Sequence, residues 1–312
     1  MDSRNDLISW LLEGDPAIRW QVKKELLHAS LQEVEVERSR ISSEGWGAAL
    51  LDRQDPDGQW GKGLYSPKWI STTYTLLHLM RLGLNPASPG ARKGCRLLLD
   101  GGFYADGGIN FWRSMKHSET CVTGMVVALL SYFRIDDERL ESLVDWLIGQ
   151  QMNDNGWNCE SFKGAHHSSF HTTISVLEGL HFFEQTSSFR KEDIRRTRSE
   201  AIDFLLVHKL YRSDHTGEVV DPRMTLFSFP PRWRYDVLRA LDFLQFIRWP
   251  AGDPRLKDAV GLLKKKRRKD GTWPLQNRHK GRLFFKMEEV GKPSRWNTLR
   301  ALRVLSWYSE AG

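Results

Sequence analysis

The chain has 312 residues, a net charge of +7, 40% hydrophobic and 11% aromatic residues, enough apolar material to bury a sizeable core. Its basic residues are dispersed and accompany no nucleic-acid-binding motif, so a nucleic-acid partner is not expected; a positive surface could still favour anionic ligands or peripheral contact with an acidic membrane face. Three cysteines are too few for a disulfide framework, no apolar run can span a bilayer, and the start "MDSRNDLISW" lacks an apolar leader core, so a reducing cytoplasm is the expected location.

In chain order, "DPAIRWQVKKELLHA" at Asp15 opens with an N-cap Asp and a Pro at the first helical position and has helical periodicity, which predicts an inner helix. Five further segments align without gaps: "STTYTLLHLMRLG", "ETCVTGMVVALLSYF", "FHTTISVLEGLHFF", "RWRYDVLRALDFLQF" and "SRWNTLRALRVLSWY". They are apolar nearly all round, as inner helices are. Between them lie amphipathic patterns such as "ARKGCRLLLDGG", "ERLESLVDWLIGQQ", "SEAIDFLLVHKL" and "PRLKDAVGLLKKK", whose charged faces predict an outer layer. The run Lys264 to Arg268 at the end of the last pattern reads as a solvated helix terminus.

Asp-Gly turns precede the inner segments: "DPDGQW" at Asp55, "ADGGINFW" at Ala105, "NDNGWN" at Asn153, "SDHTGEV" at Ser213 and "KDGTWP" at Lys269. Four of these carry a Trp that can pack over the chain reversal, which accounts for part of the high Trp count of 13. A repeat of about 50 to 60 residues falls in the range of stacked helix pairs. No linker divides the chain, so residues 1–312 are expected to form a single all-α domain. A ring of five to six inner and outer helix pairs would bury both ends of the stack. This pattern resembles the α/α-toroid superfamily of terpenoid cyclases and protein prenyltransferase β subunits, and the resemblance covers essentially the whole chain.

Inner helices running parallel put all their N-termini at one end. Thr72, Glu119, Cys121, His171, Asp236 and Asn297 are therefore expected around the mouth of a central cavity. Glu119, Cys121 and His171 offer O, S and N donors, a set that suits zinc with one open position. Cys159 and His117 are alternates. His166 and His167 read as loop residues.

The segment Arg113-x-x-Lys116-x-x-Glu119-x-Cys121, followed by "FHTT" with His171, resembles the Arg-x-x-Lys-x-x-Asp-x-Cys and His pattern of protein prenyltransferase β subunits. That resemblance implies zinc at Glu119, Cys121 and His171, and an isoprenyl diphosphate held by Arg113 and Lys116. Cations beside a helix N-terminus suit a diphosphate. Val122 stands where the family has Tyr, and "SPKWIS", with Lys68 as its one cation, replaces a His-Gly-Gly segment.

Trp69, Tyr74 and Trp296 are candidate linings for a hydrophobic chain, while Asp236 and Lys116 are candidate catalytic residues. The expected function is zinc-dependent prenyl transfer to a thiol or other nucleophile, with an isoprenoid or other anionic-headed small molecule as ligand. Whether a second subunit takes part stays open. Two alternatives remain: a terpene or squalene cyclase-like enzyme lacking the Asp-x-Asp-Asp acid motif, and a toroid that binds a hydrophobic ligand without reacting it.

Overall fold

The computed structural model describes residues 3–112 and 114–309. In chain order the helices are α1 (Ser3–Leu12), α2 (Pro16–Glu25), α3 (Leu31–Ser39), α4 (Gly45–Leu51), α5 (Thr72–Leu82), α6 (Pro89–Gly102), α7 (Thr120–Tyr132), α8 (Arg139–Gly149), α9 (Phe170–Glu184), α10 (Lys191–Val207), α11 (Val237–Phe246), α12 (Lys257–Lys265) and α13 (Arg295–Ser309). A two-residue antiparallel pair, β1 (Trp273–Pro274) with β2 (Pro293–Ser294), adds a small clamp before α13.

Helices α2, α5, α7, α9, α11 and α13 form the inner ring, and α1, α4, α6, α8, α10 and α12 pack outside them. The predicted helix at Asp15 is α2. Asp15 caps it by accepting from the Ala17 N–H at 2.9 Å, and its other carboxylate oxygen accepts from the Trp46 N–H at 2.7 Å. The last inner helix returns to the first: α13 packs on α2, the Arg295 guanidinium donates to the Trp10 carbonyl at 2.9 Å, and Arg303 donates to the Gln21 side chain at 3.0 Å. The described residues form an all-α toroid of six helix pairs, with α3 as an extra helix beside α2.

The turns repeat in their hydrogen bonds as well as in sequence. The indole N–H groups of Trp60, Trp157 and Trp273 donate to the carbonyls of Leu50, Leu147 and Leu263 at 2.7, 2.8 and 2.8 Å, satisfying carbonyls at the ends of outer helices. The backbone N–H of each Trp donates to a Thr hydroxyl early in the next inner helix: Thr72, Thr173 and Thr298. In the second repeat Ile109, rather than Trp112, takes the slot, with its N–H on Thr123 Oγ1 at 2.9 Å.

Among the inner helices α7 and α9 pack especially closely because Gly124 and Gly179 face one another. A Cβ at Gly179 would lie 2.5 Å from the Gly124 carbonyl oxygen.

Candidate functional site

A central cavity of about 670 Å³ lies inside the ring, a size usual for a ligand site. It opens toward the C-terminal ends of the inner helices, at Glu25, Gly83, Tyr132 and Phe246, with α3 residues Leu31, Val34 and Arg38 along the same mouth. Phe229, Pro231 and Trp296 line its deep end, with Phe229 stacked on Trp296 at 4.0 Å between ring centroids.

The N-terminal end, expected to be the mouth, is covered. The chain from Phe229 to Trp233 and the loop between β1 and β2 fold across it. In that loop Arg282 exchanges backbone hydrogen bonds with Lys68 and Trp69, and the Trp69 indole donates to the Lys280 carbonyl at 2.8 Å.

The cavity wall is mixed. Trp20, Met80, Tyr132, Phe182, Phe243 and Phe246 supply apolar surface. Two buried ion clusters supply charge. Glu178, 8% exposed, receives Arg81 at 2.9 Å and Arg239 at 2.7 Å. Asp242 receives Arg300 at 3.1 Å and Arg303 at 2.6 Å.

Although burial pushes the Glu178 carboxyl upward, the two guanidiniums outweigh it and hold the group down at about 2. The same opposition between burial and two arginines leaves Asp242 below its ordinary value. Both acids are therefore carboxylates at neutral pH, and each is shared by two cations, leaving a positive excess in the wall.

Sequence reasoning passed over these six residues, although a signal was present. Arg239 and Asp242, like Arg300 and Arg303, are charged pairs three residues apart on otherwise apolar helices, a spacing that places them on one helix face.

The residues singled out from sequence are distributed differently. Arg113 lies outside the described residues, and Lys116 is exposed. Trp296 lines the cavity, whereas Trp69 and Tyr74 do not: they pack edge to face at 4.7 Å in the covered end. Lys68 sits over the rings of Tyr65, Trp69 and Trp233 at 5.4 to 5.7 Å, also outside the cavity.

Asp236 does not touch His171. One of its oxygens accepts from the Arg239 N–H at 2.9 Å as the cap of α11, and the other accepts from the Ser228 N–H and hydroxyl. Its capacity is spent on the helix terminus and the adjoining loop.

The expected zinc donors come together only in part. Cys159 Sγ accepts from the Cys121 N–H at 3.0 Å and from the Thr172 hydroxyl at 3.5 Å, so Cys159, in the loop before α9, sits beside Cys121 at the start of α7. The Cys159 sulfur and burial push the Cys121 thiol up, while the hydrogen bonds that Cys159 accepts pull its own thiol down.

Glu119 accepts from the Trp112 indole at 2.8 Å, and burial raises its carboxyl. His171 Nδ1 accepts from the Tyr235 N–H at 2.8 Å, and the ring packs edge to face on Trp233. Burial, aided by Arg234, lowers His171 to about 4. His117 stacks on Phe162. Among the described residues no three His, Cys, Asp or Glu side chains are placed to hold a metal ion. Nδ1 of His171 is thus taken up by the backbone N–H of Tyr235, just before α11.

No family model matches the chain, and no curated protein matches it. Among solved structures, an arginine-to-alanine variant of the type II terpene cyclase MstE from Scytonema, in complex with the substrate geranylgeranyl dihydroxybenzoate, is similar with a TM-score of 0.51 and 16% identity; the match covers 100% of this chain and 97% of that one. An aspartate-to-asparagine variant in the same complex gives a TM-score of 0.48 at 16% identity, covering 99% and 96%. The ligand-free enzyme gives 0.47 at 17%, covering 99% and 98%. No helix among the described residues is long and apolar enough to cross a membrane. The similarity extends over the whole ring of helices and shows the fold: this chain shares the α/α-toroid fold of that cyclase.

Proposed function

We propose that the protein is a terpenoid-cyclase-like enzyme that takes a prenylated molecule with an anionic head into its central cavity. The observation that carries this reading is the cavity itself, about 670 Å³, in which aromatic rings alternate with two arginine-rich clusters. Apolar walls receive a prenyl chain through the hydrophobic effect. The faces of Trp20, Tyr132, Phe182, Phe243 and Trp296 can stabilise positive charge developing along that chain. The excess guanidinium charge favours a carboxylate-bearing head over a neutral one. The ligand named for MstE, geranylgeranyl dihydroxybenzoate, combines these two chemistries.

A second reading, binding without conversion, is favoured by the ionised state of Glu178 and Asp242. Cyclisation started by protonation needs a carboxylic acid that still carries its proton, and these two do not.

Incubation with geranylgeranyl dihydroxybenzoate, followed by chromatography and mass spectrometry, tests the reading. A product of unchanged mass with fewer olefinic proton signals is expected. Saturable binding with the substrate recovered intact supports the second reading, and absence of both overturns the proposal.

A further inference from the structure

Beneath the Phe229–Trp296 stack, on the covered side of the ring, lie two small voids of about 20 and 30 Å³. Both are lined by His78, Arg232, Leu283 and Phe285. The Arg232 residue is 9% exposed and has neither an ion pair nor a hydrogen bond among the described residues; it lies 5.8 Å from the Trp69 ring and near Tyr74. A guanidinium offers five donors and loses its hydration when buried, which is unfavourable unless an anion compensates it. Burial lowers its pKa only to about 10, so the charge persists at neutral pH.

Two further polar groups in the same place lack partners. The Nε2 atoms of His78 and His279 are buried without a hydrogen bond. Asn277 approaches Nδ1 of His279 at 3.3 Å, and with its amide donating there, Nε2 of the neutral ring carries the proton. The one carboxylate on these walls, Glu288, is occupied by the Ser294 hydroxyl and the Trp296 N–H. Arg232 also holds a left-handed backbone conformation, φ 59°, which costs an L-residue energy and is kept where the surrounding structure demands it.

We propose that Arg232, His78 and His279 form a buried site for a small monovalent anion of halide size, separate from the central cavity. The voids have room for one or two water-sized particles. Water alone would satisfy the donors but leave the guanidinium charge uncompensated. A bound anion would tie the β1–β2 loop, through His279, to His78 within α5 and to Arg232 in the segment before α11, and so help to close this end of the ring.

The test uses the whole chain in sodium gluconate, whose anion is too large for the voids, at constant ionic strength. Chloride-35 NMR should show protein-dependent line broadening that bromide displaces, together with a saturable rise in melting temperature as halide replaces gluconate. Arg232→Met should remove at least half of the excess broadening and the melting shift. Equal broadening and equal shift in wild type and variant would overturn the site. Should Arg232→Met fail to fold, bromide-soaked wild-type crystals decide: an anomalous peak beside Arg232 and His279 supports the site, and ordered side chains without a peak refute it.

Discussion

Glu178 shows how one residue sets the character of the cavity. With Arg81 and Arg239 bound to it, its carboxyl stands at about 2 against an ordinary 4.5. A folded value below the unfolded one contributes stability above pH 4.5, and that stability is lost as pH falls toward 2. The shift corresponds to about 3 kcal/mol. Removing the charge strands two buried guanidiniums, so Glu178→Gln should lower unfolding free energy at pH 7 by about 3 kcal/mol. It should also flatten the stability profile between pH 4.5 and 2; urea melts across that range provide the check.

Buried and half-buried histidines act in a neighbouring window for a different reason. Burial first of all, with nearby arginines, lowers His171, His181 and His279 to about 4 from 6.5, and His78 moves in the same direction. Neutral in the fold, they take up protons more readily when unfolded, so their contribution is present above pH 6.5 and lost as pH falls through 4. His171→Gln, which can keep an acceptor for the Tyr235 N–H, should show a shallower loss of stability between pH 6.5 and 4 than wild type. Superimposable slopes would mean that His171 titrates normally.

Helix positions were the most legible feature of the sequence. The segment "STTYTLLHLMRLG" became α5 (Thr72–Leu82) and "FHTTISVLEGLHFF" became α9 (Phe170–Glu184), because apolar runs with Ser, Thr or Asp at their starts have one strong solution. The role of glycine in α7 and α9 was not legible, since it depends on which faces meet. Gly179→Ala should destabilise by about 2 kcal/mol, the usual scale for overpacking, because its methyl would strike the Gly124 carbonyl rather than a flexible side chain. Gly261, inside α12 with open space around it, provides the contrast. Gly261→Ala should stabilise by about 0.5–1 kcal/mol through helix propensity. Thermal denaturation of the two variants separates contact from propensity.

Across the whole molecule, ring closure was foreseen from a repeat that begins at Asp15, and α13 on α2 completes it. The open end was not foreseen. Parallel inner helices place residues such as Glu119, Cys121 and Asp236 at one end but do not say whether that end is open. The decision rests on the aperiodic chain at Phe229 to Trp233 and on the loop between β1 and β2, whose contacts with Lys68 and Trp69 carry no sequence period. At the covered end Asp236 caps α11, while the charges inside α9, α11 and α13 face the cavity.

With its arginine excess, this cavity is proposed as the ligand site for a prenylated carboxylate. Calorimetric titration of the wild-type protein with geranylgeranyl dihydroxybenzoate and with its methyl ester separates a charge-reading site from a merely apolar one. One saturable site is expected, with the ester bound at least about tenfold more weakly, a difference of about 1.4 kcal/mol. Equal affinity for acid and ester, or no binding of either, would contradict it.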